Sequence, residues 1–223
     1  MGSDDLFKKR RAQRERRKYE TKNPNTNSYL IVTEGERTEP LYFEGLKYLI
    51  QRKYGGTIKV VEINIEGKGC STNKLIEKTD EIISRSKAMY QNVWVVFDKD
   101  DFTDFDEAIK NGVEKGYNIA WSNQSFEYWL YLHFEYSDSA LHRDDWCKKL
   151  DELFEKYGIG NGYHKNCKDL YALLNDFGGV ETAIKNAKRR MSGFEDGKYK
   201  PSEYDPGTKV HLLVEDLKKY LDD

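Results

Sequence analysis

The chain has 223 residues, of which 38% are hydrophobic, 13% aromatic and 34% charged, with a formal net charge of −2. Its length suits one sizeable core with an appendage, and its composition excludes a disordered chain. No apolar run approaches the roughly 20 residues of a membrane span, and "MGSDDLFKKRRAQRERRKYE" lacks the apolar core of a secretory signal, so a cytoplasmic protein with no membrane association is expected.

Residues 1–27 form a basic arm, because Lys8 to Lys22 is mostly Lys and Arg. Such a run either neutralises nucleic-acid phosphates or is simply a solvated, frayed helix. The core is expected over 28–136. It opens with the β-branched strand "SYLIVT", followed by the polar loop "EGERTEP". From Pro40 to Lys53, Tyr42, Phe43, Leu46, Leu49 and Ile50 recur at helical spacing, and Gly55 and Gly56 end the helix. "TIKVVEINI" reads as a second strand and "EGKGCSTNK" as a glycine-bearing loop. "KLIEKTDEIISRSKAM" reads as a helix with Leu75, Ile76, Ile82 and Ile83 inward. "NVWVVFD" is a third strand, "FDEAIKNGVEK" a third helix, "YNIAWSN" a fourth strand and "SFEYWLYLHF" a buried helix. Strand and helix thus alternate, which predicts an α/β fold with a mainly parallel four-stranded sheet flanked by helices. Residues 137–223 read as a helical extension containing the long loop "SGFEDGKYKPSEYDPG".

The chemistry concentrates at strand ends, where open α/β sheets bind ligands. Glu34 ends the first strand, Asp98 and Asp100 the third, and Glu127 follows the fourth. Carboxylates a few ångströms apart repel by about 1 kcal/mol in water and about 4 at an intermediate dielectric, so their convergence calls for a cation. Along an extended segment Asp98 and Asp100 project to one side while Lys99 points elsewhere. All-oxygen ligation suits Mg2+ or Mn2+. The bland alternative is that each acid forms a turn or caps a helix, which is the role expected of Asp101 and Asp104.

Arg37 and Lys68 lie in strand-end loops, where they would either hold a substrate phosphate or act as plain surface cations. "GKG" at 67–69 lacks Walker spacing, so no ATP-binding motif is present. His133, His211, Trp94, Trp121 and Trp129 read as structural or core residues. The three cysteines, Cys70, Cys147 and Cys167, show neither zinc-site nor disulfide spacing.

The ordered set "VTEG", "DKD" and a further acid after the next strand resembles the TOPRIM domain of topoisomerases, bacterial primases and OLD-type nucleases. "IVTEGERTEPLYF", "NQSFEYWLYLHF" and "PGTKVHLLVEDL" resemble, more narrowly, the RloB-like family of prokaryotic defence-associated proteins, over most of the chain from Tyr29 onward. The resemblance implies a TOPRIM-like Rossmannoid core and a metal-dependent site cleaving DNA or RNA. It casts Glu34 as the TOPRIM glutamate, Asp98 and Asp100 as the DxD metal ligands, and Glu127 as the acid of "SFE". All four are thereby candidate catalytic and metal-binding residues. It also implies a separate ATPase subunit as partner. Two further readings compete with the nuclease. One is a catalytically silent subunit that binds nucleic acid or a partner, and the other a phosphotransferase with Asp98 as covalent nucleophile, disfavoured because such an aspartate usually follows the first strand.

Overall fold

Four short apolar segments form parallel strands: β1 (Ser28–Thr33), β2 (Glu62–Gly67), β3 (Asn92–Asp98) and β4 (Asn118–Asn123). The computed structural model describes residues 28–54, 62–70, 72–194 and 198–222, so the basic arm and the start of the expected second strand lie outside the described residues. The sheet has five strands in the order β2-β1-β3-β4-β5, not four. The added strand, β5 (Gly207–Thr208), runs antiparallel to β4, pairing Thr208 with Ser122 and Gly207 with Asn123. Two residues are too few to show a periodicity, and "GT" therefore reads from sequence as the lead-in to the last helix.

The central strands β1 and β3 are apolar on both faces because both are covered. On one side Leu30, Val32, Val93, Val95, Phe97, Ile119 and Trp121 meet α2 (Thr72–Arg85) and α3 (Phe105–Glu114) through Leu75, Ile76, Phe105 and Ala108. On the other side Tyr29, Ile31, Trp94, Val96 and Ala120 pack on α1 (Thr38–Lys53) and α4 (Phe126–Tyr131). The C-terminal helices α5 (Arg143–Tyr157), α6 (Leu170–Phe177), α7 (Val180–Met191) and α8 (Val210–Asp222) add to this second side through Trp146, Leu174, Ala183 and Leu213. The extension therefore enlarges an existing core. Among the described residues no helix is long and apolar enough to cross a membrane.

The aromatic and histidine residues expected to be structural are so. Trp121 and Trp129 are fully enclosed and Trp94 nearly so. Buried His133 bridges Tyr42 Oη (3.1 Å) and the Trp129 carbonyl (3.1 Å), and burial pushes its imidazole down to about 4. His211 Nδ1 lies 3.1 Å from the Thr208 carbonyl and ties β5 to α8.

The strand order reverses between β1 and β3, because the chain leaves β1 toward β2 and crosses back to β3. A crevice at such a point opens outside the carboxyl ends of the two strands. It is framed tightly here. The "GKG" backbone folds over the end of β1, with Lys68 N–H donating to the Thr33 carbonyl (3.1 Å) and Gly69 N–H to the Glu34 carbonyl (2.7 Å). A Cβ at Gly67 would stand 2.8 Å from the Gly35 oxygen and 2.9 Å from Glu36 Cα, and backbone cannot yield as a side-chain tip can. Gly67→Ala is expected to destabilise the protein by about 1–3 kcal/mol through overpacking, read as a lower urea midpoint with unchanged slope.

Candidate functional site

Glu34 is the first polar residue beyond the buried run of β1, and its N–H still donates to the Val96 carbonyl of β3 (2.9 Å). That bond sets it against the end of β3, where its Oε2 accepts from the Asp98 N–H (3.1 Å). Asp98 in turn uses Oδ2 to accept from the Phe126 N–H at the start of α4 (2.9 Å). Its Oδ1 is buried and has no hydrogen-bond partner. Asp98 as a residue is half-buried, but its carboxylate points inward.

A cleft of about 380 Å³ opens over these groups, lined by Glu34, Arg37, Glu39, Asp98, Asp100, Glu127 and Lys165 among others. All four acids singled out from sequence therefore share one cavity. Glu127, 3% exposed, accepts from Tyr163 Oη (3.2 Å) and pairs with Lys165 Nζ (3.1 Å). Arg37 is exposed at the rim. Lys68 lies elsewhere: its ammonium pairs with Glu66 (2.8 Å) and lines a separate pocket with Lys78 and Arg85.

The "DKD" segment differs from the extended geometry that its spacing suggests. β3 ends at Asp98, and the chain turns at Asp100, whose φ of +40° is left-handed, a conformation aspartate tolerates better than most residues. Asp100 N–H donates to the Gln124 carbonyl (3.0 Å), and its carboxylate pairs with Arg143 (3.1 Å), so the turn rather than a strand pleat aims it at the cleft. Asp101 is exposed beside the same guanidinium at 3.6 Å. Asp104 precedes α3, yet its carboxylate serves α2, accepting from Thr72 Oγ1 (2.5 Å) and Asn73 Nδ2 (3.0 Å).

Glu39, Tyr163 and Lys165 escape a reading of the strand ends. Glu39 is 7% exposed, and its Oε1 accepts from the Gly35 N–H (3.2 Å). A Cβ at Gly35 would stand 2.0 Å from Glu39 Oε2, so the glycine of "VTEG" makes room for this second glutamate. A signal for Glu39 existed: it lies three and four residues before Tyr42 and Phe43, a carboxylate on the inward apolar stripe of α1. Tyr163 and Lys165 come from the loop between α5 and α6, and nothing local marks them.

Burial and crowding raise the proton affinity of Glu34, Glu39 and Asp98. Glu34 is pushed up to about 7, by burial first and then by the charges of Asp100 and Glu39, against the opposing Asp98 N–H. Burial and the Glu127 charge push Glu39 up to about 7 as well. Asp98 is raised well above the usual carboxylate range by burial and by Glu39, Glu127 and Glu34. Such groups near neutral pH either exchange protons or accept a cation. Among the described residues no group of three or more His, Cys, Asp or Glu side chains is placed so as to hold a metal ion. The donor chemistry nonetheless fits a hard cation, because the oxygens are carboxylates and the buried Asp98 Oδ1 lacks a partner. Glu34, Glu39 and Glu127 are each engaged by a partner within the protein.

A carboxylate raised from the ordinary 4.5 to about 7 favours the folded state at low pH, and that contribution is lost as pH rises through about 7. Glu39→Gln is therefore expected to be more stable than the parent at pH 8 in chelator, by on the order of 1–3 kcal/mol, and equal to it at pH 4.5. Urea unfolding at the two pH values checks this, with the opposing His133 contribution common to both proteins.

No curated protein and no solved structure matches the chain. The family description "RloB-like protein" matches residues 29–217, which takes in β1, the acid cleft, the Lys165 loop and most of α8. The chain belongs to the RloB-like protein family.

Proposed function

We propose that the protein is a TOPRIM-type nuclease that hydrolyses phosphodiester bonds of DNA or RNA with Mg2+ or Mn2+, and that it serves prokaryotic antiphage defence beside a separate ATPase subunit. The observation that carries the reading is the buried, unpartnered Asp98 Oδ1 set among carboxylates at the sheet's reversal point. A carboxylate in that position is costly unless something positive arrives.

Asp98 would hold the ion, with Glu34, Asp100 and Glu127 as the other ligands, and Glu39 lines the same cleft. When bound, the ion would polarise a phosphoryl oxygen and acidify a bound water. Glu34, as a carboxylate beside the ion, would orient the attacking water. Arg37 at the rim presents a forked donor to a phosphate. Arg143 holds Asp100 in its turned position. The basic arm supplies, on this reading, the phosphate-neutralising charge for nucleic acid.

Two substitutions test the reading. Asp98→Ala and Glu34→Ala are each expected to lower divalent-dependent cleavage of plasmid DNA or single-stranded RNA at least about 100-fold, the scale on which loss of one transition-state contact registers. Wild-type cleavage in either variant would sink the assignment. Salt-sensitive nucleic-acid binding that needs neither the acids nor a divalent ion, with no cleavage, would instead identify a silent binding subunit.

A further inference from the structure

Lys165 Nζ lies 3.1 Å from buried Glu127, and its loop holds it there by the backbone. Thr38 Oγ1 donates to the Lys165 carbonyl (3.0 Å), and Tyr163 N–H donates to Asp151 Oδ1 (2.9 Å). Gly162 has φ +98°, and a Cβ there would stand 2.3 Å from Asp151 Oδ1, so the turn is fixed. Tyr163 Oη adds the bond to Glu127 Oε1 already described. The Lys165 side chain is another matter, being 63% exposed while its Glu127 partner is 4% exposed. The backbone is tied down, and the ammonium is free to swing into water.

We propose that the Lys165 ammonium is the resident counter-charge of the acid cleft and competes with a divalent cation for Glu127, so that it sets the protein's affinity for the ion. This rests on the reading of the cleft as a cation site. An anchoring role explains the pair poorly, since Thr38 and Tyr163 already fasten the loop and a largely exposed lysine adds little to stability. Charge explains it better. The cleft gathers Glu34, Glu36, Glu39, Asp98, Asp100 and Glu127, and among the described residues the direct ion pair to a buried member of the set comes from Lys165. An ion seated on Asp98 and Glu127 would face an ammonium at contact distance of one ligand, so the two cations repel and one must leave. The lysine, on a flexible and largely exposed stem, can give up the contact once the ion replaces it as counter-charge.

The test is Mn2+ binding, followed by electron paramagnetic resonance of the free ion, to the full chain and to Lys165→Met, Lys165→Gln and Lys165→Arg, each checked for cooperative thermal unfolding. The two neutral variants are expected to bind Mn2+ about tenfold more tightly than the parent, and the arginine variant no more tightly than the parent. If the parent binds Mn2+ and the folded neutral variants bind it no more tightly, the inference falls while the cation-site reading stands. If neither parent nor variants bind Mn2+, or if Asp98→Asn binds it as the parent does, the cation-site reading fails and the inference with it.

Discussion

Burial of the sheet on both faces is the constraint from which the site follows. Along β1, Tyr29 and Ile31 face one core while Leu30 and Val32 face the other, and β3 does the same with Trp94 and Val96 against Val93, Val95 and Phe97. No charged side chain fits within such strands, so the first ones appear where the strands run out. Parallel register brings those ends together: Thr33 lies opposite Val96, and the next residues on each strand are within reach of Glu34 and Asp98. The Asp98 N–H to Glu34 bond closes the arrangement. The same apolar pattern that builds the core therefore also concentrates charge at one edge.

That concentration costs stability. Three of the acids are pushed up in proton affinity; a backbone N–H holds each of Glu34, Glu39 and Asp98, while a phenol and an ammonium hold Glu127. A sheet that needed only to fold would place neutral residues there, as it does with Ser122 and Asn123 at the end of β4. Retention of six carboxylates around one cleft is the kind of local conflict that functional sites show.

The second half of the chain takes part in both tasks. Its helices thicken the core on the α1 side through Trp146, Leu174 and Leu213, and its loop between α5 and α6 brings Tyr163 and Lys165 over the cleft. The short β5 fastens the chain to the sheet before α8, with Thr208 Oγ1 near Ser122 Oγ (3.1 Å) and the Lys209 N–H on the Trp121 carbonyl (2.8 Å). Packing and site chemistry are thus shared across the boundary that composition suggests near residue 136.

Alternating apolar runs and helical stripes made the four parallel strands, the flanking helices and the strand-end placement of Glu34, Asp98, Asp100 and Glu127 legible from sequence, because those features depend on local periodicity. Glu39 was legible in principle, as an acid on the apolar stripe of α1. The turn at Asp100, the two-residue β5, the side-chain direction of Lys68 and the arrival of Lys165 at Glu127 were not. Three of these depend on a partner distant in the chain: the Gln124 carbonyl, the edge of β4, and a glutamate 38 positions away; Lys68 turns instead to Glu66, one of several neighbours that its long side chain can reach. Sequence by itself determined which residues are apolar and at what period, and hence the strands and where their charged ends fall. Only the tertiary structure decided which charges meet, because pairing across a cleft is set by how the backbone closes in space and leaves no mark on local spacing.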